Sequence, residues 1–336
     1  METDRPIVIA HRGASGYRPE HTLASYRLAI ALGADFVEPD LVATRDGVLV
    51  ARHDAEISRT TDVAARAEFV DRLTTKEVDG RQQTGWFVED LTLAELKTLR
   101  AVERLGELRP RNTRYDGRYD VPTFDEVLDL VAEESDRLGR EVGVYPETKH
   151  PAYFADLGLG LEEPLLDALR RHGLDQAGAP VFVQSFDTAS LRWFRSRTAV
   201  PLVQLVAADG RVDGRADGAT PMGLRRVATW ADAVGVAKEL VLPRHRGSGT
   251  IGASTTLVAD AHAAGLAVHV WTLRDENLFL PVGYRCGEDP AATGYAIEET
   301  QAFLDAGVDG IFADQPDTTL AARRLHSSGI RIHATT

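Results

Sequence analysis

The chain has 336 residues, 43% of them hydrophobic and 26% charged, values that fit a folded globular protein and exclude extensive disorder. A formal charge of −13 argues against a nucleic-acid-binding surface, where phosphate repulsion would have to be overcome, but leaves room for a small anion in a local positive pocket. The single cysteine, Cys286, excludes an intrachain disulfide and a thiolate metal cage.

The first apolar run of strand length is Ile7–Arg12. It leaves no room for a signal peptide ahead of it, so the chain as written reads as cytoplasmic or as lacking its leader. A helix is expected over His21–Leu32, with Leu23, Tyr26 and Ile30 at helical spacing. Phe36–Val42 is the next strand, and Val48–His53 follows it after only Thr44-Arg-Asp-Gly47. Asp-Gly between apolar runs signals a hairpin, and so short a link joins only antiparallel neighbours, so Val48–His53 is expected as an added ribbon.

Residues 55–121 then break the pattern. They are polar, with loops expected at Asp79–Gly85 and Arg109–Arg114 and a short helix over Leu91–Leu99. Thr123-Phe-Asp-Glu126 is a capping box, and Val127, Leu130 and Val131 give the helix it opens an apolar face. Further strand-length runs are Val142–Thr148, Val181–Phe186, Leu202–Val206, Ala233–Val236, Ala267–Thr272 and Gly310–Ala313; Val282–Gly294 is a second irregular stretch. No segment approaches the ~20 apolar residues of a membrane helix.

Strands alternating with helices in this way predict an α/β fold, a TIM (β/α)8 barrel. An open doubly wound sheet is the rival, but no Gly-rich dinucleotide fingerprint follows the first strand. We expect one barrel domain over 1–330, with 55–121 inserted after the ribbon that follows strand two and lying over the barrel mouth.

The C-terminal strand ends of such a barrel carry the chemistry. Four successive extended runs finish in ionisable groups: His11-Arg12, Glu38-Pro-Asp40, His53-Asp54 and Glu147-Thr-Lys149. Residues two apart on a strand share a face, so Glu38 and Asp40 point the same way, as do Glu147 and Lys149. A lone carboxylate at a strand end is ordinarily a solvated rim residue. Three facing one axis repel unless a cation or a proton lies between them, and an all-oxygen set suits Ca²⁺ or Mg²⁺ better than zinc. His11 and His53 beside them suit a reaction with one proton to take and one to give, and Arg12 can hold phosphate oxygens in its planar fork. His269, deeper on the face of Trp271, is read as barrel filling, and His172, His245, His262, His326 and His333 as surface or loop residues. Asp314 is weighed equally as a structural rim residue and a substrate contact.

Together the stretch His11-Arg-Gly-Ala-Ser-Gly-Tyr-Arg-Pro-Glu-His-Thr22, then Glu38-Pro-Asp40, Thr44-Arg-Asp-Gly47, His53-Asp54, Tyr145-Pro-Glu-Thr-Lys149, Gln184-Ser-Phe186, Trp271-Thr272 and Gly310–Asp314 resembles the glycerophosphodiester phosphodiesterase family over essentially the whole chain. Leu91-Thr-Leu-Ala-Glu95 and Tyr119-Asp-Val-Pro-Thr123 are similar to its longer bacterial form, often periplasmic or secreted. The resemblance implies metal-dependent hydrolysis of a small glycerophosphodiester to sn-glycerol 3-phosphate and an alcohol. It implies Glu38, Asp40 and Glu147 as ligands for Ca²⁺ or Mg²⁺, His11 and His53 as the acid–base pair, and Arg12 as a phosphate contact. Lys149 and Glu20 match polar pocket positions, and Phe186 and Trp271 hydrophobic walls. His21 departs from the family, which commonly has Asn there. A lysophospholipase D, a teichoic-acid glycerophosphate hydrolase and a non-catalytic binding module are the alternatives on the same barrel.

Overall fold

The computed structural model describes residues 5–245 and 247–332, so His333 lies outside the described residues. Its strands are β1 (Ile7–His11), β2 (Phe36–Glu38), β3 (Asp40–Ala43), β4 (Leu49–Ala51), β5 (Thr74–Val78), β6 (Arg81–Gly85), β7 (Gly143–Val144), β8 (Glu147–Thr148), β9 (Val183–Ser185), β10 (Leu202–Val206), β11 (Ala233–Ala237), β12 (Ala267–Leu273) and β13 (Gly310–Ala313). Prolines interrupt two barrel strands: Pro39 separates β2 from β3, and Tyr145-Pro146 separates β7 from β8. The lower halves β2 and β7 pair in parallel, as do the upper halves β3 and β8. β8 continues through β9, β10, β11, β12 and β13, and β13 and β2 both pair with β1. The ring is closed, and each of its eight strands lies on one of the eight expected runs. The barrel is the fold expected from the alternation.

Alternation along the strands divides the barrel by height. Side chains two apart share a face, and the inward residues nearer the N-terminal ends are apolar or aromatic. Ile7, Ile9, Phe36, Tyr145, Val203, Ala233 and Phe312 form their own buried cluster, apart from the larger one between strands and helices. Close packing fixes some residue types. A Cβ on Gly143 would lie 2.0 Å from a Phe36 ring carbon, so the Phe36 ring needs the room that glycine leaves. Two residues further along, the inward positions of five strands turn polar (His11, Glu38 then Asp40, Glu147 then Lys149, Gln184 and Asp314), while those of β10, β11 and β12 are Leu205, Gly235 and Trp271.

The helices begin where their caps say. Thr22 Oγ1 accepts the Ser25 N–H, so the first helix spans Leu23–Leu32 rather than starting at His21. The capping box at Thr123 and Glu126 opens Phe124–Leu138, which buries Val127, Leu130 and Val131. No helix among the described residues is long and apolar enough to cross a membrane. β4 runs antiparallel to β3 across the Asp46-Gly47 turn, as the short link requires.

Between residues 55 and 121 two expectations are corrected. Asp79–Gly85 is not a loop: β5 and β6 form a second hairpin, with Asp79 and Gly80 at φ +47° and +75° in its turn. The polar strand Arg-Gln-Gln-Thr-Gly carries no apolar alternation, although its Asp-Gly turn is the signal already used for β4. The helix over Leu91–Leu99 shrinks to one turn, Leu93–Leu96, capped by Thr92 and Glu95.

His269 is barrel filling as expected, buried with its Nδ1 2.6 Å from the Tyr145 hydroxyl. Burial lowers it to about 4, so it is neutral and needs that partner. His172, His245, His262 and His326 are half-buried or exposed. Tyr145→Phe leaves a polar ring nitrogen unpaired in the barrel core, and urea unfolding is expected to show a loss of about 1–3 kcal/mol.

Candidate active site

Glu38, Asp40 and Glu147 are all buried, and each offers an oxygen within 4.8 Å of the others. The pairing of Asp40 with Glu147 across β3 and β8 holds two of them at one level of the ring. Burial and the neighbouring Asp40 and Glu147 charges push Glu38 well above the usual carboxylate range. Burial also pushes Glu147 up to about 8, with Lys149 opposing it and Asp40 adding to it. Burial would raise Asp40 too, but His21 and Lys149 outweigh it and hold this carboxyl well below its usual range. These three groups could hold a metal ion.

The oxygens are fixed from outside the cluster. Gln184 Nε2 donates to Glu38 Oε1 at 2.7 Å, and the Arg12 N–H donates to Glu38 Oε2 at 3.1 Å. Arg12 adopts φ +59° and Gly13 φ +83°, turning the chain back at the end of β1. A Cβ on Gly13 would meet Ser25 Oγ at 2.5 Å, so the turn needs glycine on two counts. Lys149 Nζ lies 2.9 Å from Glu147 Oε1. His21 is fully buried between the Tyr26 hydroxyl (2.7 Å) and Asp40 Oδ2 (2.9 Å). Asp40 Oδ1 is buried and has no hydrogen-bond partner.

Both expected histidines reach this cluster, and each is backed by a carboxylate. His11 Nδ1 is 2.6 Å from Asp314 Oδ1, and its Nε2 is 3.9 Å from Glu38 Oε2. His53 Nδ1 is 2.9 Å from Asp54, and its Nε2 receives Lys149 Nζ at 3.1 Å. Burial, then the Arg12 charge, lowers His11 to about 3 and His53 to about 4. His53 is the more exposed of the two, with 31% of its side chain accessible against 10% for His11. Both rings are neutral at pH 7, so each can accept a proton.

Arg12 is buried, with Nη1 on Glu20 Oε1 at 3.0 Å and Nε 3.4 Å from Asp40 Oδ2. His11, Arg12, Glu38, Asp40, His53, Glu147, Lys149, Phe186 and Trp271 line one cavity of about 530 Å³; Glu20 stands behind Arg12 instead of in its wall. Phe186 is half exposed and meets Trp271 edge-on, with ring centres 6.1 Å apart. Asp314, weighed from the sequence as a rim residue or a substrate contact, instead backs His11. Gln184 has no role in the sequence reading beyond its motif, although it shares its inward parity with Phe186. Arg109, from 55–121, had no signal: it reaches Asp314 Oδ2 at 2.6 Å from a position that reads as an ordinary loop arginine.

Against known proteins, residues 11–318 match the model of the Glycerophosphoryl diester phosphodiesterase family. The chain is 34% identical to Glycerophosphodiester phosphodiesterase GDPD6 of Arabidopsis thaliana, covering 94% of this chain and 85% of the relative. It is 31% identical to the Glycerophosphodiester phosphodiesterase of Bacillus subtilis, covering 94% and 86%. Among solved structures, an Oleispira antarctica phosphodiesterase in complex with its product sn-glycerol-3-phosphate superposes with a TM-score of 0.62 at 22% identity, over 95% of this chain and 96% of that one. A glycerophosphodiester phosphodiesterase from Agrobacterium tumefaciens gives 0.55 at 21% identity, over 94% and 99%. Match and site agree, and the chain belongs to the glycerophosphoryl diester phosphodiesterase family.

Proposed function

We propose that this phosphodiesterase hydrolyses small glycerophosphodiesters to sn-glycerol 3-phosphate and an alcohol, with His11 and His53 as the acid–base pair and a divalent cation on Glu38, Asp40 and Glu147. The observation that carries this reading is the convergence of both histidines and the three carboxylates on one cavity.

The donor set fits the cation. The unpartnered Asp40 Oδ1 and the raised Glu38 and Glu147 carboxyls together mark a deficit of positive charge. The ligands are hard oxygens and both nearby histidines are engaged elsewhere, which favours Ca²⁺ or Mg²⁺. When bound, the ion supplies charge neutralisation at the non-bridging phosphate oxygens. The protein's own groups do the rest. Arg12 retains guanidinium donors beyond its two carboxylate contacts and holds a phosphate oxygen. Lys149 balances charge beside it, Glu20 fixes Arg12, and Phe186 and Trp271 wall the alcohol side.

His53, the more exposed of the pair, exchanges its Lys149 contact for the attacking hydroxyl and takes that proton at Nε2; the attacker is water, or the substrate's own 2-hydroxyl, which gives a cyclic phosphate that water then opens. His11 takes a solvent proton on Nε2 as the anionic phosphodiester binds beside it and gives that proton to the leaving alcohol oxygen, while Asp314 keeps the Nδ1 proton. Residues 55–121 are read as an insertion over the mouth, supported by the 2.9 Å contact of Arg104 Nε with Glu20 Oε2.

Three outcomes test this. On glycerophosphocholine, His11→Ala and His53→Ala are each expected to lower kcat by ~10²–10⁴-fold. With a p-nitrophenyl leaving group, which departs without a proton, His11→Ala should recover most of its rate and His53→Ala should not. Near-normal turnover of both variants on glycerophosphocholine would falsify the pairing.

Thorough chelation is expected to abolish turnover, and Ca²⁺ or Mg²⁺ to restore it. Activity that persists with no metal detectable by elemental analysis removes the cation.

The carboxylates also set a pH dependence. Glu147 binds its proton more tightly folded, at about 8, than at its ordinary 4.5, so the folded state holds more protons between those values. Stability without the cation therefore falls as pH rises from about 4.5 to 8. Melting scans in chelator should show this decline, and a saturating cation or Glu147→Gln should flatten it.

A further inference from the structure

We propose that Arg109, contributed by residues 55–121, is a positioning residue for His11, holding it from both the ring and the backbone side. This rests on the reading of His11 as a proton carrier.

On the ring side the path runs through Asp314. Asp314 Oδ1 takes the His11 Nδ1 contact, and its Oδ2 accepts Arg109 Nη2 at 2.6 Å and Arg274 Nε at 2.7 Å. An ionised carboxylate only accepts hydrogen bonds, so His11 must donate from Nδ1. The neutral ring then carries its lone pair on Nε2, the nitrogen on the Glu38 side of the cavity. Burial alone would raise Asp314, but Arg274 and Arg109 outweigh it and hold this carboxyl well below its ordinary range.

On the backbone side, Arg109 Nη1 donates to the Ser15 carbonyl at 3.0 Å, and Ser15 Oγ donates to the His11 carbonyl at 2.8 Å. Both hold the turn that follows β1.

Arg274 does not duplicate this role. Its Nε meets only Asp314, whereas Arg109 joins Asp314 to a second buried carboxylate, with Nε on Glu276 Oε1 at 2.6 Å and Nη2 on Glu276 Oε2 at 3.4 Å. Without Arg109, Asp314 keeps Arg274 and Glu276 keeps only the Gln315 amide at 3.2 Å, leaving two buried anions for one guanidinium. Their repulsion favours protonation or rotation of Asp314, and either change frees the His11 ring to flip or to exchange tautomers. A lysine carries its three donors on one nitrogen and cannot reach Asp314, Glu276 and Ser15 as the planar guanidinium fork does.

The test uses the full chain as Arg109→Met and Arg109→Lys, with folding checked by circular dichroism. Arg109→Met is expected to lower kcat on glycerophosphocholine by ~10–10²-fold. KM should move by less than about 3-fold, because the group removed does not touch substrate. Arg109→Lys should fall between Met and wild type, and methylguanidine should restore part of the lost kcat in Arg109→Met. In ¹⁵N-histidine-labelled protein, wild-type His11, assigned by its loss in His11→Gln, should appear as one tautomer with a protected, downfield Nδ1 proton. In Arg109→Met that signal should become a tautomer mixture.

Unchanged kcat with an unchanged His11 signal overturns the assignment, and so does a loss confined to KM. Substrate-free, neutral wild-type His11 with its single proton on Nε2 overturns it without any variant, so a misfolded Arg109→Met does not protect it. The two readings also fail separately. If wild type hydrolyses no glycerophosphodiester while Arg109→Met still scrambles the tautomer, the substrate reading fails and the positioning role stands.

Discussion

Three carboxylates buried within 4.8 Å of one another are the constraint to which the upper half of the barrel answers. Each ionised oxygen loses water on burial and gains a repulsive neighbour, and at low dielectric both costs are large. The surrounding residues offset them one by one. Gln184 and the Arg12 N–H satisfy Glu38, Lys149 balances Glu147, and His21 with the Arg12 guanidinium surrounds Asp40. The compensation is incomplete. Glu38 and Glu147 stay raised and one Asp40 oxygen stays unpaired in a cluster that could hold a metal ion.

The same arrangement couples His11 and His53 to the charge cluster. Lys149 bridges Glu147 to His53, so the group that balances one carboxylate also occupies the ring nitrogen of a histidine. Arg12 lowers both histidines while pairing with Glu20 and Asp40. His11 sits on a barrel strand, whereas His53 follows the β4 ribbon and depends on the turn at Asp46-Gly47. The backing differs too: Asp314 behind His11 is buried among guanidinium groups, and Asp54 behind His53 is half exposed.

Residues 55–121 bear on the barrel through Arg104 and Arg109, one on Glu20 and the other on Asp314, Glu276 and Ser15. Each salt link joins residues far apart in the chain, 84 residues for Arg104 with Glu20, 205 for Arg109 with Asp314 and 167 for Arg109 with Glu276. Apolar packing in the lower barrel, with Phe36, Tyr145 and Phe312 at its centre, supplies the rigid frame.

The residue pattern by itself determined the eight strands, the antiparallel ribbon and the inward direction of Glu38, Asp40, Glu147 and Lys149, because side-chain alternation and the length of a link are local properties. It also separated His269, below Trp271, from His11 and His53 at strand ends. It missed the β5–β6 hairpin, where a polar strand leaves no apolar alternation, and shortened neither Leu91–Leu99 nor His21–Leu32 to its capped helix. Only the tertiary structure decided that His21 braces Asp40, that Asp314 holds His11, and that Arg109 joins them from a distant loop. Those contacts span 19, 303 and 205 residues. Chain spacing carries no record of such pairings, because barrel closure alone brings the partners within hydrogen-bonding reach.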